Sequence, residues 1–487
     1  MSAVASTFAV RWLAPPVLGA LSVFGFAPFH VFPLPILCLA GFWLTLRGDE
    51  GYAGLRVGLF GLGWFLAGVS WVYISLHDMG QLPAPVALPA TFAFAVVLAL
   101  VPALALTLAL RPRCDARVRW LLLAPAAWAL AEWMRGWLFT GFPWQSLGYS
   151  QVPWSPLAGY APVLGVYGVS WLAALSAGLM VLRGRGAWAL LALIWLAGLG
   201  LARVAWTQPV GAPVSVTLVQ GNISQEQKFS PDKLAETLAM YRRYVVDSET
   251  RLVILPETAL PVFMHTLPDW FIEELAAPMR ARGADLITGV AEEESESRYY
   301  NSMVSLGSSP GQHFRKVHLV PFGEFVPYGF HWFVDLMHIP LGDFTRGPPA
   351  QAPMRVAGQL VAVNICYEDV FGEELIHALP AATLMANASN DAWFGDSLAP
   401  WQHLQIGQMR ALETGRVWLR ANNTGITAVV SHDGRVQARL EPFVEDRLVA
   451  TVQGRAGLTP FARWGNAAFL ALALASLAFA LGFARKA

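Results

Sequence analysis

The chain has 487 residues, of which 55% are hydrophobic and only 14% are charged, and its formal net charge is zero. This apolar composition is unusual for a soluble protein and typical of a membrane protein, and the balanced charge argues against binding to nucleic acid. The three cysteines, Cys38, Cys114 and Cys366, have no metal-ligand spacing, and their odd number argues against a disulfide framework.

Long apolar segments fill the N-terminal part of the chain. A transmembrane helix needs about 20 mostly apolar residues, and the pattern predicts seven such spans followed, after a long gap, by an eighth. We therefore expect a transmembrane domain over 1–206, a globular domain over 207–462, and a last transmembrane helix with its tail over 463–487. The predicted spans are 8–27, 31–46, 55–76, 86–110, 119–139, 160–182, 187–206 and 465–483.

The arginines and lysines between these spans indicate an orientation, because cytoplasmic loops carry the excess of positive charge. Arginines lie in the loops 47–56, 111–119 and 183–186, whereas the alternate loops contain neither arginine nor lysine. We therefore expect both termini in the cytoplasm and the 207–462 domain outside it. In a cell with two membranes this means an inner-membrane protein with a periplasmic domain.

The globular domain alternates strand-like and helix-like patterns and has a strand-rich end. Helical periodicity covers 231–247, 268–282, 371–379 and 402–416. Such alternation predicts a layered α/β fold. The predicted strands are Val214–Gln220, Leu252–Leu255, Asp285–Val290, Asn301–Leu306, Gln359–Ile365, Thr383–Ala386 and Val417–Asn422, with further strands to about 453.

Three polar residues stand at or near the ends of apolar strands, where α/β folds build their sites. They are Glu257, Lys316 and Cys366. A thiol that attacks an ester needs a base to take its proton and a cation for the developing oxyanion, and these three residues would supply those functions. Each also has a structural explanation: Glu257 as a helix cap or surface ion pair, Lys316 as a solvated strand residue, and Cys366 as a core thiol.

Longer motifs around these residues resemble a known family. Together they are similar to the apolipoprotein N-acyltransferase family of the nitrilase (carbon–nitrogen hydrolase) superfamily, and the layout of eight spans with a domain before the last one fits it too. The motifs are Gln220–Ile223, Leu255–Thr258, Lys316–Pro327, Asn364–Asp369, Ser389–Gly395, Pro400–His403 and Asn422–Ile426.

The resemblance implies a fold and a reaction. The globular domain is expected to be a nitrilase-like αββα sandwich. Glu257 is the expected general base, Lys316 the oxyanion-stabilising cation and Cys366 the nucleophile that carries a thioester. The acyl donor is expected to be a phospholipid, with phosphatidylethanolamine the family's choice, and the acceptor the N-terminal cysteine of a diacylated apolipoprotein. The resemblance further implies a monomer that uses no cofactor.

Three further residues match family positions that support the reaction. Glu324 corresponds to the glutamate that orients the lysine, and Tyr367 and Glu368 to positions beside the nucleophile. One position departs from the family pattern: Lys228 is followed by Phe229, where the family usually has tryptophan. An aromatic contact is kept there, but an indole N–H is not.

Residues for substrate binding are predicted less sharply. Phe229 and Asn390 are assigned to it by their motifs, whereas Trp393 and Phe394 either line an acyl pocket or pack in the core. The apolar segment Phe330–Met337 either dips into the membrane surface as a lid or packs against its own domain. No metal is predicted, since His318, His403 and His432 have no ligand spacing.

Two ionisable residues lie in the fifth predicted span. Glu132 and Arg135 are three residues apart and can therefore face each other on a helix. Charged residues are costly inside a membrane and often functional. A structural ion pair and a contact with a lipid headgroup both remain open.

Two other functions remain possible from the residues alone. One is a membrane-tethered hydrolase of small amides or nitriles, which would share the Glu–Lys–Cys site; seven preceding spans are more than a tether needs. The other is a transporter or assembly scaffold with an inactive nitrilase-like domain. Such a domain would be expected to lose at least one of Glu257, Lys316 and Cys366, and all three are present.

Overall fold

The structure is a computed structural model that describes residues 10–47, 52–326 and 344–484. The predicted lid segment Phe330–Met337 lies outside the described residues. The chain divides into two compact units. The first contains Met1–Leu76, Pro83–Ala205 and Arg463–Ala487, and the second contains His77–Leu82 and Trp206–Ala462.

The first unit is helical, and the second mixes strands and helices. Helices α1 to α7 and α11 belong to the first unit and α8 to α10 to the second. In the described part of the chain, the helices of eight residues or more are α1 (Ala14–Leu21), α2 (Pro33–Thr45), α3 (Ala53–Gly68), α4 (Ala84–Leu110), α5 (Ala124–Arg135), α6 (Ala161–Leu182), α7 (Arg185–Leu201), α8 (Pro231–Val246), α9 (Asp269–Ala281), α10 (Ala399–Thr414) and α11 (Ala467–Ala484).

Glycines let α1 and α3 approach closely. A Cβ atom added to Gly19 would lie 2.0 Å from the main-chain oxygen of Phe60, and one added to Gly63 would lie 2.0 Å from that of Pro16. Any larger residue at these positions would push the backbones apart. Small residues at the crossing are typical of apolar helices, which associate by close packing.

Among the described residues, two helical segments are long and apolar enough to cross a membrane: α4 and Pro156–Leu182, which includes α6. A third exists if α3 and the segment Val72–Met79, bent by 62° at their junction, count as one span. The remaining apolar helices are shorter. Each of the eight predicted segments contains a helix, but the number of spans stays a prediction.

Glu132 and Arg135 lie on α5 and are both buried. Glu132 Oε1 accepts hydrogen bonds from Trp128 Nε1 at 2.8 Å and from the main-chain N–H of Leu147 at 2.9 Å. Arg135 Nη1 donates to the main-chain oxygens of Phe142 and Trp144, each at 2.9 Å. These contacts hold the segment after α5, which favours a structural role for both residues.

The second unit contains two β-sheets. The short strands Gln208–Pro209 and Arg455–Ala456 form an additional antiparallel pair. The strands of the two sheets are β1 (Val214–Gln220), β2 (Leu252–Ile254), β3 (Leu260–Phe263), β4 (Asp285–Ser295), β5 (Arg298–Gly307), β6 (His313–Arg315), β7 (Met354–Val356), β8 (Gln359–Ile365), β9 (Leu384–Ser389), β10 (Val417–Asn422), β11 (Ala428–Val430), β12 (Val436–Arg439) and β13 (Asp446–Val452).

The two sheets share one plan, with parallel strands in the middle. In the first sheet the strand order is β13-β1-β2-β4-β5-β6, and β3 pairs with β4. In the second the order is β12-β11-β10-β9-β8-β7. Strands β1, β2 and β4 run parallel, as do β8, β9 and β10. Parallel strands need both faces covered, and every residue of β2, β9 and β10 is buried.

The sheets pack face to face between two layers of helices. Strand β1 contacts β10, and the main-chain N–H of Thr427 donates to Gln220 Oε1 at 3.1 Å. Helices α8 and α9 form one core with the first sheet, to which Leu275 contributes, and α10 packs on the second through Leu404. The predicted layered fold is confirmed in its αββα form.

Candidate active site

Lys316 lies between two carboxylates at the end of β6. Its side chain is 1% exposed, and its Nζ lies 3.1 Å from Glu257 Oε1 and 2.8 Å from Glu324 Oε1. Glu257 stands in the turn after β2, and Glu324 in the turn between Pro321 and Phe325. The fold therefore brings together three of the residues that the sequence predicted to act together.

Asn301 also connects the two carboxylates, by hydrogen bonds that the sequence did not predict. It lies on β5, and its Nδ2 donates to Glu257 Oε1 at 2.8 Å and to Glu324 Oε1 at 2.9 Å. Glu324 Oε2 in turn accepts from the main-chain N–H of Val320 at 2.9 Å. A polar residue inside a strand has no local signal of function, so sequence reasoning treated Asn301 only as the start of a strand.

Cys366 is the first residue after β8, and its backbone is strained. Its φ angle is 53°, in the left-handed region that residues other than glycine rarely adopt. Such a conformation costs about 1–3 kcal/mol and persists only where the surroundings enforce it. Asn387 on β9 contributes, since its Nδ2 donates to the main-chain oxygen of Cys366 at 3.0 Å. The chain therefore turns sharply at Cys366, directly after the end of β8.

Glu368 connects the segment after Lys316 to the turn that carries Cys366. Its Oε1 accepts from the main-chain N–H groups of Val317 at 2.6 Å and His318 at 3.1 Å, and its Oε2 accepts from that of Ile365 at 2.7 Å. Burial nevertheless raises the pKa of Glu368 to about 7. Glu368 thus holds the two segments together by hydrogen bonds, and its role in the reaction stays a prediction.

Four buried ionisable side chains connect the turn at Cys366 to the turn after β9. Arg420 donates to Asp369 Oδ2 at 2.9 Å and to Asp391 Oδ2 at 3.2 Å. The two ring nitrogens of His403 lie 2.9 Å from Asp369 Oδ1 and from Asp391 Oδ1. Because Asp369 and Asp391 follow neighbouring strands β8 and β9, this charge network fixes the two turns to each other.

The electrostatics keep the thiol protonated at rest. Burial raises the pKa of Cys366 well above its ordinary value, and the Glu257 carboxylate raises it further. Burial also acts to raise the pKa of Glu257, but Lys316 and Lys228 outweigh it and hold the pKa below its ordinary value. Burial would lower the pKa of Lys316, yet Glu257 and Glu324 keep it well above the ordinary value. The site therefore offers a charged base, a charged lysine and a thiol.

The residues predicted for substrate binding lie in two neighbouring segments. Asn390 Nδ2 donates to Gln225 Oε1 at 3.0 Å, which connects the turn after β9 to the short helix that precedes Phe229. The Phe229 side chain is exposed, and its role in substrate binding stays a prediction. Trp393 and Phe394 follow Asn390 and are half-buried, so both interpretations of these two residues remain open.

Tyr367, which follows Cys366 in the chain, lies among other rings. Its ring centroid is 6.0 Å from that of His318 and 5.2 Å from that of Phe371. In the described part of the chain, no group of three or more His, Cys, Asp or Glu side chains is arranged to hold a metal ion.

The chain is similar to curated proteins over almost its whole length. Residues 18–179 match the family model "apolipoprotein N-acyltransferase N-terminal domain", and residues 215–461 match "carbon-nitrogen hydrolase". The apolipoprotein N-acyltransferase of Nitrosomonas europaea is 49% identical over 95% of both chains. That of Chromobacterium violaceum is 44% identical over 97% of this chain and 94% of its own.

Among solved structures, a carbon-nitrogen hydrolase from Helicobacter pylori matches with 18% identity. The match covers 49% of this chain and 89% of that one, with a TM-score of 0.36.

Proposed function

Because the chain belongs to the apolipoprotein N-acyltransferase family, we propose that it moves a fatty acyl group from a phospholipid to the N-terminal amine of a diacylated lipoprotein. Cys366 is the nucleophile, Glu257 the base and Lys316 the oxyanion-stabilising cation. The observation that supports these roles best is the buried contact of Lys316 with both Glu257 and Glu324, in a site whose charges act on Cys366.

The first half-reaction forms a thioester. Glu257 takes the proton of the Cys366 thiol as the sulfur attacks the ester carbonyl carbon of the phospholipid. Lys316 stabilises the tetrahedral oxyanion, and preorganised charge of this kind often contributes more to catalysis than any other single effect. The intermediate collapses with cleavage of the ester C–O bond. The lysophospholipid leaves with the proton that Glu257 returns to its oxygen.

The second half-reaction transfers the acyl group. The α-amine of the acceptor cysteine has a pKa of about 7.7–8.0, so a useful fraction is neutral near pH 7. It attacks the thioester carbonyl and gives up a proton to Glu257, an amide forms, and the C–S bond breaks. The proton returns to the sulfur and Cys366 is free again. Excluding water protects the thioester between the two steps.

The apolar helices of the first unit fit an enzyme whose substrates cannot leave the bilayer. Both the phospholipid and the lipoprotein are lipid-anchored, so an enzyme held at the membrane meets them in two dimensions and can orient their chains. We place the catalytic unit on the periplasmic side of a bacterial inner membrane, with both termini in the cytoplasm. Phosphatidylethanolamine is the proposed donor, and the enzyme is proposed to act as a monomer without a cofactor.

The test is a reconstituted transfer assay. The purified protein in mixed micelles receives a phospholipid with a labelled acyl chain and a synthetic diacylated lipopeptide. We expect label on the lipopeptide amine, and none with Cys366→Ala. Turnover of small soluble amides in place of acyl transfer would indicate the tethered hydrolase. Full activity of Cys366→Ala would exclude the proposed nucleophile.

A further inference from the structure

Lys228 is a buried lysine that faces the same cluster as the proposed catalytic groups. It ends the short helix Gln225–Lys228, and the residue is 5% exposed. Its Nζ donates to the main-chain oxygen of Glu257 at 3.0 Å, which is its hydrogen-bond partner within the described residues. An ammonium group carries three donors, so two of them remain for the interior of the site. Lysines are almost never buried without compensating charge.

The compensating charges around Lys228 are those of the active site. Glu257 and the Cys366 sulfur both favour its charged form, whereas Lys316 opposes it. With Glu324, which contacts Lys316, the cluster holds two cations and two carboxylates, so its formal charge is zero while the thiol is protonated. Moving the thiol proton to Glu257 keeps that sum at zero. Without Lys228 the same transfer would occur in a buried site with one excess negative charge.

The main-chain contact gives Lys228 a second effect. Glu257 follows Pro256 in the turn after β2, and Thr258 beside it has a φ of 50°, a conformation that its surroundings must enforce. A hydrogen bond from an ionised donor is roughly twice as strong as a neutral one. The bond from Lys228 therefore fixes the turn from which the Glu257 side chain reaches Lys316.

We propose that Lys228 is a positioning residue of the acyl-transfer site, which holds the Glu257 turn by its main-chain oxygen and balances the negative charge that forms on the Cys366 sulfur. The inference rests on the proposed role of Cys366 as nucleophile. Burial lowers the pKa of Lys228 to about 8 despite the nearby Glu257, so at neutral pH most molecules carry the charge that this role requires.

Alkylation of Cys366 tests the inference without requiring acyl transfer. The full-length protein in detergent is treated with iodoacetamide at pH 7, where most Lys228 side chains carry their charge, and the rate of modification of the Cys366 peptide is followed by mass spectrometry. Lys228→Met removes both the hydrogen bond and the charge, Lys228→Gln keeps a donor without charge, and Lys228→Arg keeps the charge. Lys233→Met is the matched control, because Lys233 is an exposed lysine paired with Glu236.

We expect Lys228→Met and Lys228→Gln to lower the alkylation rate at pH 7 by about tenfold or more, since a neighbouring opposite charge shifts a pKa by about 1–3 units. Lys228→Arg should recover most of the rate, and Lys233→Met should match the wild type. A purely structural lysine would lower the melting temperature and leave the alkylation rate of the folded protein in place.

A folded Lys228→Met or Lys228→Gln variant with the wild-type alkylation rate would overturn the inference. So would an Lys228→Arg variant as slow as Lys228→Met. If the wild type shows no acyl transfer while Lys228→Met still slows alkylation, the proposed function fails and the effect of Lys228 on the Cys366 thiol stands.

Discussion

At the scale of single residues, the positive charge of Lys316 allows two buried carboxylates to lie close together. Glu257 and Glu324 both accept from Asn301, and both also contact Lys316. Two carboxylates this close would otherwise compete for a proton, and one pKa would rise strongly. The lysine thus keeps Glu257 ionised, as its proposed role as base requires, in addition to its own proposed role at the oxyanion.

Replacing Lys316 should therefore remove two functions at once. For Lys316→Met we expect kcat to fall by at least about 10²- to 10³-fold, the effect of losing one oxyanion-stabilising donor. The reconstituted transfer assay measures the fall, with Lys233→Met as a control for loss of an exposed lysine. A rate within tenfold of the wild type would contradict the assigned role.

Phe229 offers a test of substrate binding that is separable from stability. Its side chain is 62% exposed, and exposed substitutions usually change the free energy of unfolding by less than about 0.5 kcal/mol. We expect Phe229→Ala to keep the melting temperature and to raise the KM for phospholipid. Trp270→Ala is the control, since Trp270 is 64% exposed on α9. An unchanged KM for Phe229→Ala would remove Phe229 from the substrate site.

At the scale of elements, the turns after β8 and β9 are held by the charge network of Asp369, His403, Arg420 and Asp391. Burial acts to lower the pKa of His403, and Arg420 does so too, but Asp369 and Asp391 outweigh them and raise it. His403 therefore binds its proton more tightly in the folded protein than in the unfolded chain. Its stabilisation is complete below the unfolded pKa of about 6.5 and is lost as the pH rises through the folded pKa.

A pH series of thermal unfolding measures this contribution. Between pH 6 and pH 9 the wild type should lose stability through His403, whereas His403→Gln should lack that part of the slope and melt lower at pH 6. His377→Gln, at an exposed histidine outside the network, should follow the wild type. Parallel curves for His403→Gln and the wild type would show that His403 is not charged in the fold.

The strands were predicted well because their apolar runs are unambiguous. The observed β1, β8 and β10 have the predicted ends, and Asp285–Val290 extends to Ser295 as part of a hairpin. The helix predicted over 371–379 is found, but only Gly372–Leu375 is α-helical and Ile376–Ala378 continues it as a 3-10 helix. A proline at position 380 disfavours helical backbone in the residue before it.

Only some of the active-site residues could be predicted from the sequence. Glu257, Lys316 and Cys366 each follow a strand and carry a motif, so sequence alone could single them out. Asn301 and Arg420 lie within strands, where a polar residue in an apolar run gives no sign of its partner. Their roles depend on contacts between segments far apart in the chain, which one sequence does not contain.

At the scale of the whole molecule, hydropathy predicts eight spans, whereas within the described residues two or three helical segments are long and apolar enough to cross a membrane. At 1.5 Å per residue, the 13 residues of α2 extend over about 20 Å, whereas the hydrocarbon core is about 30 Å thick. Prolines and glycines shorten these helices: α2 begins at Pro33, and α1 ends at Leu21 and continues as a 3-10 turn to Gly25. Hydropathy averaged over a window of residues counts the residues on either side of these helices as part of a span, because they are also apolar.

The proposed orientation is tested by labelling in intact cells. Single cysteines at Lys233→Cys and Arg117→Cys are introduced in a chain whose three native cysteines are replaced. A membrane-impermeant maleimide should label Lys233→Cys in intact cells of a two-membrane bacterium with a permeable outer membrane. Arg117→Cys should be labelled only after the inner membrane is opened. The reverse pattern would place the catalytic unit in the cytoplasm.

The most direct measurement is to trap the acyl-enzyme. The wild-type protein in a bilayer-like environment is incubated with a phospholipid carrying a labelled acyl chain and no amine acceptor. We expect label on the protein that neutral hydroxylamine releases, that Cys366→Ala abolishes, and that a diacylated lipopeptide removes onto its own amine. A folded wild-type protein that acquires no label, yet transfers acyl groups when the acceptor is added, would contradict a thioester at Cys366.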